Sequence, residues 1–411
     1  MASPAAVNRM NPPSAKHASS EKARLKKLLP WHALACSAFL FGLHFFLGGG
    51  STRLINDSRA YLAQSQGQQA GTPFDSRLLG PFIAWLITTV SGASSLAGFQ
   101  ILTLVSFIAS LVLLRKIIVS HGGPVMWQTA VLLAFGCALG VTFGYTPVMV
   151  DPLLLALVCL TVLALGSKHW VVVVILASLA ALTKESGLLL GLVGSLVAWR
   201  RGHRKLALVT VLLPAIVLSF AILSRLGHKG TNLSDWQDFL NAMFGYHVDL
   251  FHFRGAFEYP KLLYMWSWSV LWPVLIIGAS AVVFRLRKGI ERSDHEVCFS
   301  VMLLAVPILL LGDWGRALLV AVPLAIAVAT RHPLARDARF AGLVGLGGLS
   351  TALARPFHGE TPLPYLLTLT MTAVSVASSF ALGVILVRQV SRRAMKSSSG
   401  SHEATVEGVV P

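Results

Sequence analysis

Charge is scarce in this sequence. Only 12% of its 411 residues are Asp, Glu, Lys or Arg, where a soluble domain carries about 25%. Acids are the scarcer sign: 17 Asp and Glu stand against 34 Lys and Arg, for a formal net charge of +17. Such an excess would suit a nucleic-acid binder, but its placement excludes that class. Twenty-four of the 34 basic residues lie in the termini or in short junctions between apolar runs. That bias marks cytoplasmic segments of a membrane protein. It also implies attraction to anionic membrane lipids.

Cysteine is nearly absent. Cys36, Cys137, Cys159 and Cys298 all fall in apolar runs, so neither a disulfide framework nor a zinc spacing can be drawn. They read as small buried hydrophobes. There is no P-loop, no G-x-S-x-G and no dinucleotide fingerprint, which leaves nucleotide hydrolysis and soluble hydrolase chemistry without a motif. The alternation of outer-membrane barrel strands is missing too.

What remains is apolar: 55% of residues are hydrophobic and mean hydropathy is +0.70. A bilayer crossing takes about 20 mainly apolar residues. Runs that meet or approach this are 31–49, 98–117, 124–144, 151–167, 169–184, 186–200, 206–225, 263–284, 297–312, 316–331, 340–355 and 364–387. The expected fold is all-α, a polytopic transmembrane helical bundle of about twelve spans. Ten is the alternative, because three of the runs within 151–200 are short. The expected division is a basic, unstructured cytoplasmic tail at 1–29, a membrane domain at 30–391 and a second cytoplasmic tail at 392–411. Both termini are then cytoplasmic.

The junctions are of two kinds. One set is basic: Arg115-Lys116, Arg200 to Lys205, Arg285 to Lys288, Arg331 to Arg339, Arg388 to Lys396. The other carries acids beside single cations, and the chemistry is expected on that side. External loops are expected at 50–97 and 226–262. The first should hold a short helix over 57–66 and a surface-lying apolar helix over 78–91. The second mixes charges with eight aromatics from Trp236 to Tyr259, as membrane interfaces favour.

Ionisable groups near membrane depth cost about 2.5–3.5 kcal/mol each, so those retained near span ends are the candidates. Asp57 stands four residues before Tyr61, in reach of an incoming hydroxyl as a proton acceptor. Arg59 and Arg77 offer the guanidinium fork that suits phosphate, with Asp75 beside Arg77. As purely structural alternatives, Asp57 caps its helix and Arg77 reaches to headgroups. Asp151-Pro152 opens a span, where an acid is also a good helix start. Lys184-Glu185 lies between two short runs: Lys184 can reach a phosphate and Glu185 orient it. Asp313 and Arg316 flank a tight external turn. His247-x-Asp249-x-x-His252 fits no strong zinc pattern, so no metal ligands are assigned. No cofactor is required by any motif; a divalent metal is the one left open.

Taken in order, these pieces resemble the GT-C superfamily of membrane glycosyltransferases. The resemblance rests on four short stretches across roughly 50–330. They are Asp57-Ser58-Arg59-Ala60-Tyr61; Pro73 to Pro81 with Arg77 inside; Asp151-Pro152 followed by Leu182-Thr183-Lys184-Glu185; and Asp313-Trp314-Gly315-Arg316 before a span containing Pro323. It implies a polyprenyl-phosphate sugar as donor and a lipid-linked glycan or glycolipid as acceptor, in the bacterial inner membrane. Asp57 would be the general base of an inverting transfer. Arg59, Arg77, Lys184 and Arg316 would hold the donor phosphate, supported by Asp75, Asp151, Glu185 and Asp313. A lipid or glycan transporter using the same charged cavity is the alternative class.

Overall fold

The computed structural model describes residues 15–47, 56–68, 77–145, 148–226, 278–279, 293–300, 314–354 and parts of 370–388. Every element among them is helical. α1 spans Ala15–Leu47, α2 Asn56–Ser65, α3 Leu79–Ser91 and α4 Ser95–Ser120. α5 (Val125–Val131) and α6 (Cys137–Tyr145) are joined by a widened π turn at Leu132–Gly136. α7 (Asp151–Ser167), α8 (Trp170–Thr183), α9 (Leu188–Arg200) and α10 (Arg204–Leu226) follow, and α11 (Trp314–Thr330) and α12 (Ala338–Ala354) close the described bundle.

Among the described residues, three helices are long and apolar enough to cross a membrane: Leu28–Phe46 within α1, all of α4, and Arg204–Leu223 within α10. α1 starts ahead of the apolar run, inside the stretch expected to be an unstructured tail. Residues 15–29 are mostly Ala, Lys, Glu and Leu, good helix formers, and the first proline met is Pro30. The remaining helices match the expected spans to within a few residues, and α2 and α3 match the two helices expected in the first external loop. The span at 263–284, most of that at 297–312 and the loop at 226–262 lie outside the described residues, apart from positions 278–279 and 297–300.

The packing surfaces explain why these helices associate where water is scarce. In lipid the drive comes from close backbone approach and from interhelical hydrogen bonds. Gly136, Gly140 and Gly144 recur every fourth residue and face α1; a Cβ on Gly140 would sit 2.6 Å from the Ser37 carbonyl oxygen. Ser37 Oγ donates to the carbonyls of Ala33 at 2.9 Å and Leu132 at 3.2 Å, so it serves the π turn, where the regular ladder is interrupted. α12 repeats the device, with Gly345 and Gly348 set against Ala130 and Ala134. Val320 to Ala329 of α11 are all buried, Pro323 among them; a helix apolar all round belongs at the centre. On α10, Leu208, Leu212, Ile216 and Phe220 form an exposed stripe at four-residue spacing, as expected of a face turned to lipid.

Helix directions follow from contacts. Trp127, at the start of α5, donates from Nε1 to Thr330 Oγ1 at the end of α11, 3.0 Å apart. Arg115 near the end of α4 lies over the Trp31 ring at 4.5 Å. Arg201, after α9, pairs with Asp294. These junctions form one end of the bundle, which is basic. α2 and the start of α3 lie toward the other.

Candidate functional site

α7 starts deep. The chain at Val148–Val150 is not helical, so the Val148 and Met149 carbonyls lack the usual partners, and Pro152 has no N–H. Two helices supply donors instead. Ser58 Oγ of α2 bonds the Val148 carbonyl at 3.0 Å, Thr103 Oγ1 of α4 that of Met149 at 3.4 Å, and Ser110 Oγ that of Pro152 at 3.2 Å. Ser110 lies near the middle of α4, so Asp151 opens its helix about halfway down the bundle. Gly80 at the start of α3 rests on the Val150 side chain, which any larger residue would displace.

α8 and α9 are interrupted at the same depth. Lys184 has φ −163° and ψ 145°, extended backbone between two helices, and a tight turn at Glu185–Gly187 follows. The break lets two chain neighbours point to different partners. Lys184 Nζ donates to Asp151 Oδ1 at 3.1 Å, with the Asp151 side chain 0% exposed and the Lys184 side chain 6%. Glu185 receives Arg77 Nε on both carboxylate oxygens, each at 3.1 Å. Arg77 Nη1 donates to the Tyr61 hydroxyl at 2.6 Å. Burial works against the Arg77 cation, but Glu185 and then Tyr61 outweigh it and hold the guanidinium above its usual value.

Tyr61 is wholly buried and its ring meets Phe99 of α4 with centroids 6.4 Å apart. Its hydroxyl and Ser58 tie α2 to Arg77 and to the Val148 carbonyl. Asp57 lies in the first turn of α2, one helical turn ahead of Tyr61.

Five charged or hydroxyl-bearing side chains from the ends of α2, α3, α7, α8 and α9 thus converge. Sequence reading named four of them (Arg77, Asp151, Lys184, Glu185) but not their pairing, and it did not assign Tyr61 a role. The i+4 spacing from Asp57 was the available clue. Lys184 and Arg77 are each engaged by a carboxylate, so these four charges cancel formally. Burial this deep requires it, because an unpaired charge would cost several kcal/mol. Arg59 is exposed on α2 and takes no part in these bonds. Arg316 falls in the first turn of α11. Asp75, Asp313 and the His247-x-Asp249-x-x-His252 stretch lie outside the described residues.

Beside the cluster is a cavity of about 850 Å³ between the end of α2, α3, the start of α4 and the end of α8. Leu78, next to Arg77, and Leu182, two residues before Lys184, both line it. No protein-family model, curated protein or solved structure matches the chain.

Proposed function

We propose that the chain is an inverting membrane glycosyltransferase of GT-C type. It moves a sugar from a polyprenyl-phosphate donor to a lipid-linked or glycan acceptor on the extracytoplasmic side of the bacterial inner membrane. In this reading the bundle has about twelve crossings, both termini are cytoplasmic, and the basic end faces the cytoplasm. The carrying observation is the convergence of Arg77, Tyr61, Glu185, Lys184 and Asp151 beneath α2, the helix whose first turn holds Asp57.

The chemistry follows from those roles. Asp57 takes the proton of the acceptor hydroxyl, and the oxygen attacks the anomeric carbon from the face opposite the phosphate. The bond from that carbon to the phosphate oxygen breaks, and the lipid phosphate leaves with the electron pair. Arg77 and Lys184 offset the charge that develops there. The anion reaches them by sharing or exchanging with Glu185 and Asp151, so the two carboxylates keep the buried cations solvated between turnovers. Arg59 and Arg316 are second-rank phosphate contacts, and Asp75 and Asp313 supporting acids.

A lipid or glycan flippase is the second reading. What favours it is the broken helix at Lys184 near mid-bundle, where transporters place their sites. The test is release of polyprenyl phosphate from a panel of polyprenyl-phosphate sugars by the purified protein in nanodiscs. Release should depend on acceptor, fall by about two to four decades in Asp57→Asn, and fall in Arg77→Ala by at least a hundredfold. Donor binding without release, unchanged in Asp57→Asn, would move the assignment to a flippase.

A further inference from the structure

The cavity beside Arg77 carries more chemistry than a lipid groove needs. Its rim at the end of α2 is Gln64, Ser65, Gln66 and Gly67, and its outer wall holds Phe82 and Trp85 of α3. The two rings lie 5.8 Å apart and tilted by 31°. They are 55% and 47% exposed, so each presents a face rather than filling a core. Amides offer two donors and an acceptor in one plane, the pattern that meets neighbouring hydroxyls. Aromatic faces take the apolar C–H face of a sugar ring. Among the described residues that line the cavity none is ionisable.

From this juxtaposition of amides, aromatic faces and the Arg77 cluster, we infer that the cavity is the subsite for the transferred sugar, and that this sugar is a neutral hexopyranose. The inference rests on the transferase reading. A sugar and the phosphate that carries it are joined through one oxygen, so the sugar subsite must border the cations that hold the phosphate. Leu78 and Leu182 give it that border on both sides. Along the described lining, a uronic acid's carboxylate and an amino sugar's ammonium meet no opposite charge. Both lose hydration without a partner. The volume of about 850 Å³ lies within the usual range of small-molecule pockets.

The test uses full-length protein in lipid nanodiscs and saturation-transfer NMR with three soluble probes that share one aglycone. These are phenyl glucopyranoside, phenyl glucuronide and phenyl glucosaminide. Phenyl glucopyranoside should bind through its sugar ring protons, and the two charged probes about ten-fold more weakly. Trp85→Ala should remove the preference for the neutral probe. Gln66 is exposed on a turn, so Gln66→Glu should fold normally and shift preference to the glucosaminide. Equal binding of all three probes, or a preference untouched by both variants, would overturn the inference and leave an apolar chain as the occupant. The two readings fail separately. Asp57-dependent release of polyprenyl phosphate with no probe preference sinks only the sugar subsite. A Trp85-dependent preference without any release sinks the transferase and leaves a sugar-binding pocket.

Discussion

Lys184 and Glu185 are bonded neighbours with opposite charge, yet each is paired elsewhere, with Asp151 and Arg77 respectively. Extended backbone at Lys184 turns the two side chains apart, and the tight turn after it fixes Glu185 toward α3. A buried pair of this kind contributes little net stability, but breaking it is expensive. Asp151→Asn should therefore lower unfolding stability by about 3–5 kcal/mol, because it strands the Lys184 ammonium. Asp151→Leu combined with Lys184→Met should recover most of that loss while abolishing transfer. Thermal unfolding in detergent, wild type beside both variants, checks this. A single mutant that melts with the wild type would show that the pair does not hold in the membrane form. At this scale the sequence offered the residue types and their depth, but not the partners. Asp151 and Lys184 are 33 residues apart, and Arg77 and Glu185 108, so no local pattern could join them.

Among elements, the segment 294–300 shows how the basic end is tied together. Ser293 N–H donates to Glu296 Oε2 at 2.9 Å, which closes the first turn in the manner of a capping box. Asp294 accepts from Arg200 at the end of α9 and from Arg201 just after it. His295 is buried against His121 at the end of α4, ring centroids 4.8 Å apart, with Nε2 3.4 Å from the Val162 carbonyl of α7. Burial, then the nearby His121 and Arg331, pushes His295 down to about 4. His121 is lowered as well, first by its own burial.

The folded value lies below the ordinary 6.5, so the unfolded chain takes up the proton first. The stability that neutral His295 contributes is complete above pH 6.5 and drains as pH falls toward 4. Melting temperature should drop across that window, and His295→Gln should flatten part of the drop. An unchanged pH profile in the variant would exclude His295 as its source. The helices themselves were legible beforehand. Apolar runs bounded by Gly, Pro and charge predicted α4 to α12 within a few residues, because helix formation in an apolar solvent depends on neighbours in the chain. The start of α1 was missed because polar residues with high helix propensity carry the helix past the apolar boundary.

For the whole molecule, the consequence of charge sorting is a polarity that can be measured. Gln66, after α2, and Lys205, at the start of α10, are exposed at opposite ends of the bundle. A membrane-impermeant maleimide added to intact cells should label Gln66→Cys and spare Lys205→Cys until the membrane is permeabilised. The native cysteines should interfere little, since Cys137, Cys159 and Cys298 are buried and Cys36 is half-buried. Labelling of both positions from the same side would remove the orientation on which the proposed function stands.

The sequence by itself determined that the chain is helical, that several helices suit a membrane, and which ends are basic. Those properties are sums over local composition. Hydropathy along a run decides whether it can cross lipid, and Lys and Arg in a short junction decide its side. Only the tertiary structure decided that α7 opens halfway down the bundle, that each buried cation is matched to a carboxylate from another helix, and that Tyr61 joins α2 to Arg77. It also set the amide rim and the aromatic pair across one cavity. Those choices depend on close approach between distant segments, permitted where Gly80, Gly140 and Gly187 leave room. Charges withdrawn from water must find their complements in three dimensions, whatever their separation in the chain.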